Sequence, residues 1–169
     1  METNQLTETT NFVIDLKQLL THWQGHRLLT RKVIELFPED QLFNFSIGGM
    51  RTFSEMLLEL IDLASGGIVG IANNDWQSMN ELYHIKGNPF KTKNEFLEKW
   101  DEVTKQIDNL WPTVSIERFQ EVVLAFGQYE GPVYSTLLYF IDNEIHHRGQ
   151  AYVYLRALGI TPPPFWERN

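Results

Sequence analysis

The chain contains no cysteine. A disulfide framework, a thiolate metal site and a cysteine nucleophile are therefore excluded. Positive charge is scarce as well: 14 Lys and Arg against 22 Asp and Glu leave a formal net charge of −8. A phosphate backbone needs a basic face to meet it, so this balance argues against a nucleic-acid partner. Long apolar runs are also missing, the longest being broken by charge or glycine well short of the ~18 residues of a membrane span. The opening METNQLTETT has neither a basic flank nor an apolar run and does not read as a secretory leader. The expectation is a soluble, cytoplasmic protein with neither nucleic acid nor membrane as partner. What the chain does have is apolar and aromatic side chains, 43% and 13% of its 169 residues, enough for one domain spanning residues 1–169.

Apolar periodicity predicts a helix from Asn11 to Phe37, with Phe12, Leu16, Leu19, Trp23, Val33 and Ile34 on one stripe and Pro38 as its stop. His22 and His26 sit one turn apart beside Trp23 and read as core-edge histidines rather than a site. Thr52 and Glu55, in capping-box spacing, open a second helix lined by Phe53, Met56, Leu57, Leu60 and Ala64. Gly66 and Gly67 interrupt it, after which the chain either resumes the helix or bends. A helical wheel puts Glu59 about 100° from the middle of that stripe, on its flank. A long polar connection runs from Asn73 to Lys93 and contains Gly87, Asn88 and Pro89. A second capping box, Thr92 with Glu95, starts a third helix that ends at Pro112. Between Thr113 and Pro132 the VVLAFG run fits a short strand or a helical turn equally well. The last helix runs from Val133 to Leu158, capped by Gly159 and followed by three prolines. Its apolar residues cover more than half its circumference, which calls for neighbours on more than one side. Four long helices, one long connection and no repeat predict an all-α four-helix bundle.

The last helix carries the polar constellation of most interest. Asn143, His147 and Gln150 stand at i, i+4 and i+7 on one strip, with His146 and Arg148 turned about 100° to either side. A buried imidazole beside a carboxylate or amide from another helix is how bundles build interior metal sites. The competing reading is a polar strip whose members satisfy each other or bound water, and spacing alone favours it. Trp166, beyond the triple proline, is a candidate docking residue.

HHRGQ followed by YLRALGITPPP resembles the closing signature of the DinB-like family of metalloenzymes. HWQGHRLLTRKVIELFPEDQL is similar to that family's first helix, and MRTFSEMLLELIDLA to its second. The resemblance implies an up-down-up-down four-helix bundle with a long crossover between helices 2 and 3, usually assembled as a homodimer. It also implies a divalent metal, zinc or nickel, held by one histidine of the second helix and a His-x-x-x-His pair on the last. Carried over residue by residue, the metal positions fall on Glu59, Asn143 and His147, of which only His147 keeps the family's residue. A Glu, Asn, His set holds zinc less tightly and shifts preference towards manganese or magnesium. His146 and Gln150 would orient these groups, and Glu144 would serve proton transfer. The resemblance turns Glu59 towards the central cavity, whereas the wheel leaves it on the flank.

Two functions follow from this reading. One is a metal-dependent transferase or hydrolase acting on a small-molecule substrate, with a low-molecular-weight thiol supplied from solution. The other is a non-catalytic dimeric bundle that has lost the metal and serves as a ligand-binding or interaction module. Without a metal, Glu59 needs a counter-charge inside the bundle, from protonated His147, Arg148 or Arg51.

Overall fold

The computed structural model describes residues 13–168; the opening segment and residues 11 and 12 of the expected first helix lie outside the described residues. Local chemistry sets the helix starts. Helix α1 (Leu16–Leu36) begins at Asp15, whose side chain accepts the Gln18 N–H while Gln18 reaches back to the Asp15 N–H. Helices α3 (Phe53–Asn73) and α5 (Lys93–Leu110) open with the same reciprocal arrangement, through Thr52 with Glu55 and Thr92 with Glu95. Each capping box satisfies two otherwise orphaned backbone donors. Helix α6 (Val133–Ala157) has no side-chain cap; it starts directly from Pro132. Two short helices, α2 (Glu39–Asn44) and α4 (Tyr83–Lys86), lie in the connections.

Gly66 and Gly67 do not break α3, which is continuous to Asn73. They serve packing instead. A Cβ on Gly67 would stand 2.2 Å from the Phe140 ring and one on Gly66 3.0 Å from the Phe126 ring. Bare backbone on α3 lets both aromatic rings settle against it.

Between α5 and α6 the undecided stretch forms an antiparallel hairpin, β1 (Val122–Ala125) with β2 (Tyr129–Pro132), in the register Val123↔Gly131 and Ala125↔Tyr129. Its tight turn holds Phe126 at φ 52 and Gly127 at φ 70, and the Phe126 ring folds inward to stack against Trp76 and Phe140. Left-handed backbone at a phenylalanine carries strain, which the burial of its ring offsets.

The direction of each helix follows from what meets at its ends. Lys93, at the start of α5, donates to the carbonyls of Glu35 and Phe37 at the end of α1, and the Phe37 ring packs on Phe53 at the start of α3. At the opposite end, Trp111 beyond α5 donates to the Leu16 carbonyl, and Arg118 donates to Ile71 late in α3. The first turns of α6 lie beside the start of α1, where Tyr134 and Leu138 share a recess with Leu16 and Leu19. So α3 and α5 run parallel to each other and antiparallel to α1, while α6 runs with α1. The all-α four-helix bundle and its long crossover are found, but the order is up-down-down-up rather than the strict alternation the resemblance implies. The reason is geometric: two parallel neighbours cannot be joined by a tight turn, so the chain crosses the bundle through residues 74–92.

The core is built from Trp23, Leu57, Ile61, Trp100, Ile107 and Leu137, all fully buried. Helix α6 packs on α1 along one side and α3 along another. Its outer stripe of Tyr134, Leu138, Ile145 and Val153 remains exposed. Among the described residues no helix is long and apolar enough to cross a membrane.

Candidate functional site

Helices α3 and α6 bring Glu59, Asn143 and His147 together. Asn143 Nδ2 donates to Glu59 Oε1 at 3.0 Å. Arg51, one residue before the α3 cap, places Nη1 2.7 Å from Glu59 Oε2 and Nη2 3.1 Å from His147 Nε2. A guanidinium only donates, so His147 Nε2 accepts and its ring proton sits on Nδ1. That Nδ1–H donates to Gln150 Oε1 at 2.7 Å. Glu59 Oε2 and His147 Nε2 stand 3.6 Å apart, electrostatic neighbours rather than a hydrogen-bonded pair. With its Nε2 unprotonated, His147 gives Glu59 no proton, so the Arg51 guanidinium and then the Asn143 amide hold the Glu59 carboxyl below its usual range, against the opposing pull of its half-burial.

The other residues singled out in the sequence divide between this cluster and its surroundings. Gln150 touches the cluster through the His147 ring. His146 is exposed, its ring centroid 5.0 Å from that of His147, and it has no hydrogen bond to the cluster. Glu144 faces away: Thr30 Oγ1 of α1 donates to its Oε1 at 2.5 Å, and Arg148 lies 3.7 Å off. A proton-transfer role for Glu144 at the Glu59 cluster is thus corrected by geometry. One step along a helix turns a side chain about 100°, from the α3 side to the α1 side. Arg148 is drawn to the same α1 side, so of the three counter-charges considered for Glu59 the salt bridge goes to Arg51. His22 is exposed, while His26 is buried with its two ring nitrogens facing Arg148 and Arg168.

A divalent metal does not fit these residues. A guanidinium already bridges the carboxylate and the imidazole that would be its strongest donors, and the Asn143 amide turns its NH2 group, not its oxygen, to Glu59. Among the described residues no group of three His, Cys, Asp or Glu side chains is arranged to hold a metal ion.

Beside the cluster lies a cavity of about 340 Å³, and Glu59 forms part of its wall. The hairpin contributes Phe126, Tyr129 and Glu130, α6 contributes Tyr139 and Phe140, and the crossover contributes Met79 and His84. Asp62 fixes His84 in place. Its buried carboxylate accepts the backbone N–H groups of Tyr83 and His84 at 3.0 and 2.9 Å and lies 2.7 Å from His84 Nδ1. These residues escaped the sequence reading. One signal was there to find: Asp62 interrupts the apolar run LELIDLA, and an acid in such a run needs partners. The hairpin wall had no comparable signal, because its Phe126 packs against residues far away in the chain, Gly66 on α3 and Phe140 on α6.

The class of protein found here is a four-helix bundle with a long crossover and a polar cluster between its second and last long helices. Residues 2–168 match the model of the DinB family, and the chain belongs to that family. It is 24% identical over 160 residues to the protein YjoA of Bacillus subtilis (strain 168), covering 90% of this chain and 96% of that one. Among solved structures it is similar to a DinB-like protein of Bacillus cereus ATCC 10987, with TM-score 0.69, 18% identity, and 88% and 95% of the two chains covered. The structure of DinB-like YjoA from B. subtilis gives TM-score 0.68 at 18% identity, covering 89% and 97%. At such identities the structural likeness establishes the fold.

Proposed function

We propose that this chain is a metal-independent small-molecule-binding member of the DinB family. The single observation that carries the reading is the Arg51 guanidinium, donating to both Glu59 and His147 where the family resemblance would put a cation. A fixed positive charge on the chain does the electrostatic work of a divalent ion, so Glu59 stays ionised without one. The adjoining cavity supplies the binding volume, with Glu59 as the shared wall. Assembly as a homodimer belongs to the same proposal. The exposed Tyr134, Leu138, Ile145 and Val153 form one apolar stripe along α6, interrupted by Gly149, against whose Cα no other group packs.

The test is metal affinity. Chelator-treated protein titrated with zinc, nickel, manganese and magnesium is expected to bind none of them stoichiometrically, and its melting temperature is expected not to move. The double variant Glu59→His with Asn143→His, combined with Arg51→Ala, restores three imidazoles and removes the competing cation. It is expected to gain tight zinc binding and a zinc-dependent rise in melting temperature. Near one equivalent of tightly held metal in the unaltered protein overturns the reading in favour of a metal-dependent transferase or hydrolase.

A further inference from the structure

The cavity beside Glu59 has a chemistry of its own. Four aromatic rings surround it: Phe126 and Phe140 are buried, while Tyr129 and Tyr139 stand 59% and 56% exposed although they face the recess. The Phe126 and Phe140 rings are fixed by the packing on Gly66 and Gly67, so this part of the wall is preformed. Its charge is of one sign. Glu59 and Glu130 both line it, and neither lysine nor arginine does. Glu59 is partly neutralised by Arg51. Glu130 has no ion-pair partner among the described residues.

The remaining polar groups of the lining are uncharged hydroxyls and one imidazole. His84 turns its Nδ1 to the Asp62 carboxylate, and among the described residues its Nε2 has no partner. Thr136 Oγ1 already gives its proton to the Pro132 carbonyl at 3.3 Å, which leaves its lone pairs to a ligand. Ser135 adds a second hydroxyl. A ligand complementary to this lining carries positive charge and several N–H donors at one end and an apolar ring at the other. Ammonium groups are held over aromatic faces by the ring quadrupole, and nearby carboxylates add direct Coulomb attraction. An anion would meet two carboxylates and no lysine or arginine in the lining.

From this lining we infer that the cavity binds an organic ammonium ion, an amine attached to an aromatic or similarly flat apolar body. The inference rests on the metal-independent reading of the cluster, because Glu59 enters as a carboxylate free of metal.

Three probes of nearly equal size separate the alternatives: phenethylamine, 2-phenylethanol and phenylacetate. Each is titrated into chelator-treated protein at pH 8 by calorimetry, with and without added zinc. The amine is expected to bind about tenfold or more tighter than the alcohol, with the acid weakest. Glu130 lies on the exposed hairpin, so Glu130→Gln is expected to leave folding intact. It is expected to lose about tenfold in amine affinity while leaving the alcohol unchanged. Equal binding of amine and alcohol, tighter binding of the acid, or no binding by any of the three overturns the inference. So does an amine preference that Glu130→Gln leaves untouched. An amine that binds only after zinc is added overturns the metal-independent reading, while the charge preference survives.

Discussion

Helix α6 carries two polar networks on neighbouring sides, and they are built differently. Towards α1, Glu144 and Arg148 are 3% and 5% exposed and meet Thr30 and His26, with the fully buried Arg27 as an electrostatic neighbour of Glu144. Arg27 itself lies 4.1 Å above the Trp100 ring and donates to Thr104 Oγ1 and the Trp100 carbonyl. Towards α3, Glu59 pairs with an arginine whose side chain is 45% exposed, and the cluster opens onto a cavity. The sealed network holds its charges against a large desolvation cost, which only mutual pairing offsets. The open network leaves one charged member half-exposed and one wall free for a ligand. Both use an arginine beside a glutamate; depth decides which pair is structural and which is available for binding.

The contrast can be broken most forcefully from the sealed side. Replacing Arg148 by Met takes a cation from beside Glu144, where burial already pushes the carboxyl upward, and leaves the His26 carbonyl and imidazole without their buried donor. A loss of about 3–5 kcal/mol in urea denaturation is expected. Arg51→Ala on the open side is expected to cost less, about 1–2 kcal/mol, because Arg51 is 45% exposed and Asn143 still donates to the Glu59 carboxylate. Equal losses from the two variants would abolish the distinction.

Acid titration sharpens it further. Burial, then Arg148, Arg168 and His22, hold His26 down to about 3. A depressed folded pKa means that the unfolded chain takes up the proton first. Stability is thus complete above about 6.5 and declines as the pH falls towards about 3. His26→Gln is expected to flatten the melting-temperature profile over that interval. The smallest effect belongs to the open side. The stabilising share of Glu59 is complete above about 4.5 and is lost as the pH falls through about 2. Removing Arg51 takes away one of the groups holding that carboxyl down, so the acid limb of Arg51→Ala is expected to begin at higher pH than in the unaltered protein.

Much of this architecture is legible in the residue order, because capping boxes and apolar periodicity are local. Thr52 with Glu55 and Thr92 with Glu95 mark true helix starts, and the convergence of Glu59, Asn143 and His147 follows from the family resemblance. What failed were the non-local facts. A wheel shows that Asn143 and His147 share a strip, but not which neighbouring helix the adjacent Glu144 will meet. Gly66 and Gly67 left a resumed helix or a bend open, and what they accommodate is ring packing that arrives from residues 126 and 140. Arg51 was named among three counter-charges, and only the tertiary arrangement singled it out by sending Arg148 to α1.

The Gly66–Gly67 pair also limits how this protein can be made more robust. Each helical glycine forgoes about 0.5–1 kcal/mol relative to alanine, so both are obvious targets for engineering a hardier bundle. Yet a methyl group at either position pushes directly into the Phe126 or Phe140 ring. Any firmness gained along the rod would be taken from the shape of the hollow beside it. Tolerance to heat and the capacity to accept a guest are opposed at these two positions.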